Sequence, residues 1–355
     1  MLGKLPHPRN LTSHYNSRGH LGLSTQIGAL TQPIQSSFSL VSPSANTFKM
    51  ADSINLVAIH DSLIAIARQA GEIMRNATGK ELETDEKMNA VDVVTETDKR
   101  IEDLVNSILT KEYPTFSFVG EESYVKGVTK VTDAPTFICD PIDGTQNFIH
   151  GFPLACISLG FTLGRKPQVG VVYNPFSDVL FSAIKGQGAF MVDNFSLAPG
   201  QGLGKPQQLP LRPGRKLGSL ETALVGIEFG SQRDGHNFDL KLEVYKALTA
   251  SKATGGAMAG AVRSMGSAAL NICYTAAGVM DVYWEGGCYA WDVAAGWCIL
   301  EEAGGRMAGG NPGVWDPAVD DRKYIAVRQG GEEEQKKIVE EFWALMKGKE
   351  MEYEH

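Results

Sequence analysis

Several features that would assign this chain of 355 residues to a common class are missing from it. No stretch approaches 18 consecutive apolar residues, so we expect no transmembrane helix. Basic residues are not in excess, because 33 Lys and Arg stand against 41 Asp and Glu. The formal net charge of −8 argues against a nucleic-acid partner. A charged small molecule would therefore have to be bound through metal ions or helix dipoles.

Cysteine is also scarce, and its spacing argues against two structural uses. The five cysteines are an odd number, most of them lie in apolar runs, and no two form a Cys-x-x-Cys pair. This pattern indicates buried thiols in a reducing compartment, and it disfavours a disulfide framework or a zinc site. We therefore expect a cytoplasmic protein. The cysteines are Cys139, Cys156, Cys273, Cys288 and Cys298.

Residues 1–49 contain no acidic residue, four Lys or Arg, and many Ser, Gln, Pro and Gly. We do not expect this segment to belong to the folded domain. A mitochondrial targeting role is compatible with the composition, but arginines are few and no clear amphipathic period is present. Because Met50 is followed by Ala-Asp and resembles a start site, a disordered extension or a mis-assigned upstream start is favoured over targeting.

The spacing of apolar residues predicts two helices and then five strands in the first half of the chain. Helical periodicity covers residues 53–76 and again 97–111, where Pro114 stops it. The last three strands are separated by glycine and Asn-Pro turns, so they should form an antiparallel meander. The predicted strands are residues 116–119, 136–139, 156–163, 169–173 and 179–184.

Residues 193–215 are rich in Pro, Gly and Gln, and we place a linker and domain boundary there. The predicted organisation is an α+β domain at 50–192 and an α/β domain at 216–355, in which strands alternate with helices. The second half should contain strands at 222–228, 281–284 and 324–327, helices at 238–250, 267–279 and 292–303, and a final helix through Ile338 and Phe342.

The most informative local pattern is DPIDGTQNF at residues 140–148, directly after an apolar run. Asp140 and Asp143 can face one point only if the backbone bends between them. Pro141 and Gly144 favour such a bend. Two like charges held close repel each other, so a hard divalent cation is a natural occupant. The pattern is also typical of an Asx turn that caps a helix, and both interpretations stay open at this point.

Four further acidic residues stand at predicted strand ends or helix starts, where side chains can reach a shared cleft. Two of them, Asp98 and Asp292, could instead be first-turn residues that offset a helix dipole. The GEES segment at residues 120–123 could equally be a solvated turn. The four residues are Asp98, Glu121, Glu122 and Asp292.

Three motifs, in this order and spacing, resemble the inositol monophosphatase family. They are GEES at 120–123, DPIDGTQNF at 140–148 and WDVAAG at 291–296. The resemblance implies an α+β or α/β protein with the layered αβαβα sugar-phosphatase fold, an antiparallel N-terminal sheet and an α/β C-terminal half. The chain departs from the family in residues 1–49, in the insertion at 193–215, and at Gln146, where threonine is usual. No metal ligand is lost at these positions.

The resemblance also implies two or three Mg²⁺ ions, bound in the N-terminal domain and by one aspartate of the second. One ion would be held by Glu121, Asp140 and the backbone carbonyl of Ile142, and a second by Asp140, Asp143 and Asp292. A third, weaker ion would contact Glu121 and Asp98. Because every ligand is a hard oxygen, Mg²⁺ suits the set and zinc does not.

The implied nucleophile is a water activated by these ions. Thr145, paired through its hydroxyl with Glu121, would orient that water and help to deprotonate it. The backbone N–H groups of Gly144 and Thr145 would bind phosphate at the start of a helix. The implied catalytic residues are Glu121, Thr145 and Asp98.

Substrate specificity is expected to come from the second half. Glu285 resembles the family position that hydrogen-bonds polyol hydroxyls, although a surface acid at a strand end is the alternative. Lys87 matches a family lysine near the metal loop, or is a simple surface residue. The implied substrate-binding residues are Asp143, Gly144, Thr145, Ser231, Gly266, Ala268 and Glu285.

The resemblance therefore implies a Mg²⁺-dependent, lithium-sensitive phosphatase of inositol metabolism and phosphatidylinositol signalling. Its substrates would be inositol monophosphates or similar small polyol phosphates. Alternatives are a bisphosphate nucleotidase or a fructose-1,6-bisphosphatase of the same superfamily, and a non-catalytic regulator of polyol or quinate metabolism. The intact acidic residues disfavour the last of these. A homodimer without nucleic-acid or membrane partners is expected.

Overall fold

The computed structural model describes residues 54–77, 84–86, 93–196 and 204–354. The expectations for residues 1–49 and for Lys87 concern residues outside these ranges. Within the described ranges the chain forms seven α-helices and fourteen strands. In chain order they are α1 (Leu56–Ala77), β1 (Thr84–Glu86), β2 (Val93–Thr95), α2 (Glu96–Glu112), β3 (Ser117–Gly120), β4 (Thr136–Asp143), α3 (Thr145–Ile149), β5 (Cys156–Leu163), β6 (Lys166–Asn174), β7 (Val179–Ile184), β8 (Ala189–Asp193), β9 (Gln207–Gln208), β10 (Leu224–Ile227), α4 (Gly235–Thr249), β11 (Ala261–Arg263), α5 (Ala268–Ala276), β12 (Val282–Gly286), α6 (Ala290–Glu302), β13 (Arg306–Gly309), β14 (Lys323–Val327) and α7 (Glu332–Ala344).

The larger sheet has the strand order β3-β4-β5-β6-β7-β8-β9, in which β3 and β4 are parallel and the other neighbours antiparallel. The predicted meander of β5, β6 and β7 is confirmed. Strands β8 and β9 were not predicted. β8 has five residues of which only Ala189 is fully buried, and β9 has two exposed residues, so neither gives a clear alternating pattern.

The smaller sheet has the order β11-β10-β12-β14-β13 and is mixed. β10 is parallel to β11 and β12, whereas β14 is antiparallel to β12 and β13. The predicted strands of this half are confirmed, but β11 and β13, which have three and four residues, were missed. The domain boundary at 193–215 stays a prediction, and β9, which lies inside that segment, pairs with β8 of the larger sheet.

Helices and sheets alternate in five layers, as the resemblance implied. α1 and α2 cover one face of the larger sheet, with Leu63 and Val105 fully buried there. α5 and α6 lie between the two sheets, where Ile272 and Ala294 are buried. α4 and α7 cover the outer face of the smaller sheet. The central helix layer therefore places the first turn of α6 beside the end of β4.

Two expectations about side chains and membranes can also be compared with the structure. All five cysteines are buried and unpaired, as predicted. None of the helices in the described ranges is both long and apolar enough to cross a membrane.

Candidate active site

The end of β4 carries two of the predicted ligands on one side of the chain. In a regular strand, residues three apart point to opposite faces. Here the pairing with β5 shifts register between Asp140, opposite Ser158, and Asp143, opposite Cys156. Between these two pairs β4 has one residue more than β5, and Pro141 and Ile142 lie in this stretch of β4. The bend predicted between the two aspartates is therefore present as a β-bulge.

Three carboxylates converge at this bulge. Oxygen atoms of Asp140, Asp143 and Asp292 all lie within 4.8 Å of one another. Burial, followed by the negative charge of Glu121, raises the pKa of Asp140 well above its usual range. Burial followed by the charge of Asp143 does the same to the pKa of Asp292, and burial raises the pKa of Asp143 to about 6. The ionised form of each of the three carboxylates is therefore disfavoured in this surrounding.

One atom of this group tests whether a cation fits. Oδ1 of Asp140 is a buried oxygen without a hydrogen-bond partner, a property that only Asn271 Oδ1 shares among the side chains of the described residues. Buried polar atoms in native proteins are nearly always satisfied. Oxygen ligands from several carboxylates are what Mg²⁺ prefers. The residues present therefore fit a hard divalent ion.

The carboxylate of Asp143 is held by the start of α5. The hydroxyl of Ser267, which is the N-cap residue of α5, donates to Oδ2 at 2.6 Å, and the backbone N–H of Ala269 donates to the same oxygen at 2.7 Å. The N–H of Ala268 donates to Oδ1 at 3.3 Å. These bonds lower the pKa of Asp143 against the effect of burial. Sequence reasoning missed Ser267, although its place three residues before Leu270 fits an N-cap signal.

Glu121 is positioned by a residue that the sequence analysis overlooked. Its backbone N–H donates to the carbonyl of Cys139, one residue before Asp140. The buried carboxylate of Glu102, on α2, accepts from the N–H groups of Glu122 at 2.7 Å and Ser123 at 2.8 Å. GEES is therefore a turn anchored by Glu102, in which Ser123 is exposed. Nothing local in the sequence around Glu102 shows that it reaches this turn.

Asp98 and Asp292 both occupy the first turn of a helix. The carboxylate of Asp98, which is buried, accepts hydrogen bonds from the backbone N–H and the hydroxyl of Thr95, the N-cap residue of α2. The carboxylate of Asp292 accepts from the N–H of Tyr289 at 2.5 Å. The capping interpretation is thus correct for both. Asp292 also joins the carboxylate group, while the predicted contact of Asp98 with an ion stays a prediction.

Thr145 begins α3, but its partner is not the predicted one. Its hydroxyl donates to the backbone carbonyl of Ile142 at 3.0 Å, and not to Glu121. The turn brings the hydroxyl back over a carbonyl three residues earlier, which explains the difference. Gly144 before it has φ 86°, and a Cβ there would lie 2.9 Å from the carbonyl oxygens of Leu154 and Gly266. Only glycine fits this position.

Glu285, the predicted substrate ligand, ends β12 beside a second glutamate. Glu228 follows the parallel strand β10, and its charge, after burial, raises the pKa of Glu285 to about 7. The hydroxyl of Tyr283 donates to Glu285. Sequence reasoning missed Glu228. Its place at the end of a strand parallel to β12 could have identified it, because the carboxyl ends of parallel strands share one edge.

Of the other predicted substrate residues, Ser231 and Gly266 lie on two loops and Ala268 begins α5. Oε1 of Glu228 accepts from the N–H of Gly266 at 2.8 Å, and Ala268 contacts Asp143 as described above. Ser231 lies, partly exposed, in the loop between β10 and α4. Asn147, inside DPIDGTQNF, donates to the carbonyls of Leu154 at 2.8 Å and Met265 at 2.7 Å. It therefore joins the metal motif to the loop of Gly266.

The chain is similar in sequence and in fold to several known proteins. The sequence model of the inositol monophosphatase family matches residues 56–347. The chain is 47% identical over 307 residues to inositol monophosphatase 2 of Saccharomyces cerevisiae, covering 84% of this chain and 98% of the relative. It is 37% identical over 258 residues to inositol monophosphatase 1 of Sus scrofa, covering 72% and 85%. Its fold is similar to that of the extragenic suppressor protein suhB of Bartonella henselae, with a TM-score of 0.63, 27% identity, and coverage of 80% and 98%.

Proposed function

The chain belongs to the inositol monophosphatase family, and on this premise we propose that it hydrolyses inositol monophosphates or similar small polyol phosphates to the polyol and phosphate. It is a phosphoric monoester hydrolase, the class to which the curated relatives belong. What the geometry adds is an account of how its residues would perform the reaction.

The observation that supports a metal-dependent reaction is the buried group of Asp140, Asp143 and Asp292, with Glu121 beside it. Burial raises the pKa values of all three aspartates, repulsion from neighbouring carboxylates adds to this at Asp140 and Asp292, and one oxygen of Asp140 has no hydrogen-bond donor. A group of this kind is costly to the fold without a cation. We therefore propose that its use is catalytic.

We propose two or three Mg²⁺ ions as the cofactor. Their ligands would be Glu121, Asp140, the carbonyl of Ile142, Asp143 and Asp292, with Asp98 near a weaker ion. When bound, such ions supply positive charge for phosphate oxygens and lower the pKa of water. An acidic protein could in this way hold an anionic substrate.

The residues of the chain would divide the remaining tasks. In the proposal, the hydroxyl of Thr145 orients the attacking water as part of general-base catalysis, and Glu121 helps to accept its proton. The N–H groups of Gly144 and Thr145 would donate to the phosphate. Asp143 would serve as a metal ligand through Oδ1, which accepts only from Ala268, because the two lone pairs of Oδ2 already accept from Ser267 and Ala269.

The paired glutamates support a monophosphate substrate. Glu228 and Glu285 lie at neighbouring strand ends, and each raises the electrostatic cost of a further anion in the pocket. A polyol can instead donate its hydroxyl protons to these carboxylates. The proposal therefore favours a polyol monophosphate over fructose 1,6-bisphosphate or a nucleoside bisphosphate.

Phosphate release from a substrate panel tests the proposal. We would compare inositol 1-phosphate, fructose 1,6-bisphosphate and adenosine 3′,5′-bisphosphate, each with Mg²⁺ and with a chelator, and with added lithium. Preferred, Mg²⁺-dependent hydrolysis of inositol 1-phosphate that lithium inhibits is the expected result. Preference for a bisphosphate would show that the proposed substrate class is wrong. No phosphate release from any of the esters would favour a non-catalytic protein.

The homodimer and the cytoplasmic location are also proposals. Buried, unpaired cysteines support a reducing compartment. Light scattering on the purified protein would determine the number of subunits, and a single-chain mass would exclude the dimer.

A further inference from the structure

The segment from Glu350 to Glu354 is fastened across the strand end that carries Glu285. The buried side chain of Asn311 pairs with Met351, accepting from its N–H at 2.8 Å and donating to its carbonyl at 2.9 Å. Asn237 pairs in the same way with Glu352, at 2.7 and 2.6 Å. Each amide satisfies both backbone groups of one residue, as a β-strand neighbour would. These four hydrogen bonds therefore hold the segment in one fixed position relative to Asn237 and Asn311.

This segment fills the space next to two glycines that follow Glu285. A Cβ on Gly286 would lie 2.8 Å from the ring of Tyr353 and closer still to the sulfur of Met351. A Cβ on Gly287 would lie 3.4 Å from the same ring. Met351 is 2% exposed. The glycines of the sequence YWEGG thus make room for Met351 and Tyr353, which back the end of β12.

The ring of Tyr353 is part of a stack that ends beside a predicted metal ligand. The guanidinium of Arg322 lies 5.4 Å from the ring centre of Tyr353 and 3.7 Å from that of Tyr289. Arg322 also donates to the carbonyl of Gly287 at 2.8 Å. The N–H of Tyr289 in turn donates to Asp292. Tyr353 therefore packs beside Gly286, the residue after Glu285. Through Arg322 it is also linked to Tyr289, which donates to Asp292.

Lys241 also fixes this strand end. It is 1% exposed, and its ammonium donates to the carbonyls of Phe229 at 2.9 Å and Gly286 at 2.7 Å. It also lies 5.8 Å from the ring centre of Tyr353. A buried lysine is rare unless its charge is satisfied. Here it joins the loop that leads to Ser231 to the strand end that presents Glu285.

We infer that Tyr353 and Lys241 are positioning residues for polyol recognition, which fix the Gly286–Gly287 strand end so that Glu285 faces the hydroxyl groups of the substrate. This inference rests on the proposed function, because it assigns Glu285 to the polyol. Neither residue needs to touch the substrate. Both act through the backbone that carries Glu285.

The test compares two phosphate esters in variants of the full chain. Tyr353→Ala and Lys241→Met should raise KM for inositol 1-phosphate about tenfold, since a hydrogen bond to a charged group is lost or misaligned, with kcat little changed. Hydrolysis of p-nitrophenyl phosphate, which has no polyol, should stay within about twofold. Tyr353→Phe should restore the parent behaviour, because the ring and not the hydroxyl does the packing. Lys349→Ala is the matched control, because it breaks only the exposed ion pair with Glu243, one residue before the same segment.

Hydrogen exchange at residues 283–290 separates this inference from the proposed function, because it needs no substrate. Faster exchange in Tyr353→Ala, with the Lys349→Ala control unchanged, supports the positioning role even if inositol 1-phosphate is not hydrolysed by the parent. If the parent does not hydrolyse inositol 1-phosphate, this result refutes only the proposed substrate and not the positioning role. Unchanged exchange, or an equal loss on both esters with the parent active, would overturn the inference.

Discussion

The carboxylate of Asp143 accepts a hydrogen bond from the backbone N–H of Ala269 at 2.7 Å. Asp143 ends β4 in the larger sheet, whereas Ala269 lies in the first turn of α5, in the helix layer between the sheets. The partial positive charge of a helix N-terminus stabilises an anion. A single aspartate therefore contributes to the predicted metal group and also attaches α5 to β4.

Ser267→Ala should weaken metal binding without removing a ligand. Ser267 caps α5 and donates to Asp143 at 2.6 Å. Loss of an N-cap costs about 1 kcal/mol of stability. Because the carboxylate of Asp143 would be less firmly oriented, the variant should also require a higher Mg²⁺ concentration for half-maximal activity. Thermal unfolding and a Mg²⁺ titration of phosphate release measure the two effects.

A second cap separates these effects. Asn55 accepts from the N–H of Ala58 at the start of α1, at an exposed site. Asn55→Ala should lower the melting temperature similarly and leave the Mg²⁺ dependence as it was. If both variants shift the Mg²⁺ dependence equally, Ser267 has no specific part in orienting Asp143.

Asp140→Asn should abolish Mg²⁺-dependent turnover and yet stabilise the protein in chelator. Loss of a metal ligand removes several kcal/mol of transition-state stabilisation, which lowers the rate by about a thousandfold. In chelator, the substitution removes one of the mutually repelling carboxylates, so its melting temperature should exceed that of the parent. Mg²⁺ at 100 times its Kd should stabilise the parent by about 2.7 kcal/mol and the variant far less. Full activity of Asp140→Asn would refute the metal group.

Thr145→Val should lower kcat by about a hundredfold or more while KM changes little, because general acid–base catalysis contributes at that scale. Thr145→Ser keeps a hydroxyl within reach of the Ile142 carbonyl and should retain most of the activity. Steady-state kinetics with saturating Mg²⁺ are the measurement. Equal kinetics for the valine and serine variants would show that the hydroxyl has no catalytic part.

Several elements, and the convergence of Asp140 and Asp143, could be predicted from the sequence because their causes are local. Apolar spacing predicted α1 and α2, and the Asp-Pro-Ile-Asp-Gly order predicted the bend between Asp140 and Asp143. Asp292 could be added only by resemblance, since nothing in its own segment distinguishes a capping aspartate from a ligand. The structure shows that it is both a first-turn residue and a member of the group.

The residues that support the site could not be predicted, because they act across long sequence separations. Glu102 reaches the GEES turn from a helix, and Glu228 meets Glu285 only because β10 and β12 are parallel neighbours. The partner of Thr145 was predicted wrongly for a different reason, since the true acceptor is only three residues away. The family resemblance implied Glu121 as the partner, but the backbone turn presents the carbonyl of Ile142 instead.

Glu285→Gln should make the folded protein more stable at high pH and impair its selectivity for polyols. Burial, followed by the charge of Glu228, raises the pKa of Glu285 from 4.5 to about 7. Between these values the folded state binds more protons than the unfolded state, so the contribution of Glu285 to stability falls as pH rises through this window. Below about pH 4.5 Glu285 is protonated in both the folded and the unfolded state, so its ionisation costs no stability. Above pH 7 the raised pKa lowers the free energy of unfolding by roughly 3 kcal/mol.

The glutamine cannot ionise and still accepts from Tyr283, so the variant should avoid that penalty. Urea unfolding at pH 5 and pH 8 measures the difference: small at pH 5, and in favour of Glu285→Gln at pH 8. Glu350→Gln, at an exposed carboxylate, should show no such pH-dependent gain. A variant that is less stable than the parent at pH 8 would mean that Glu285 is held ionised by favourable contacts. In that case the nearby ammonium of Lys241, which lowers the pKa of Glu285, would stabilise the ionised carboxylate by more than burial destabilises it.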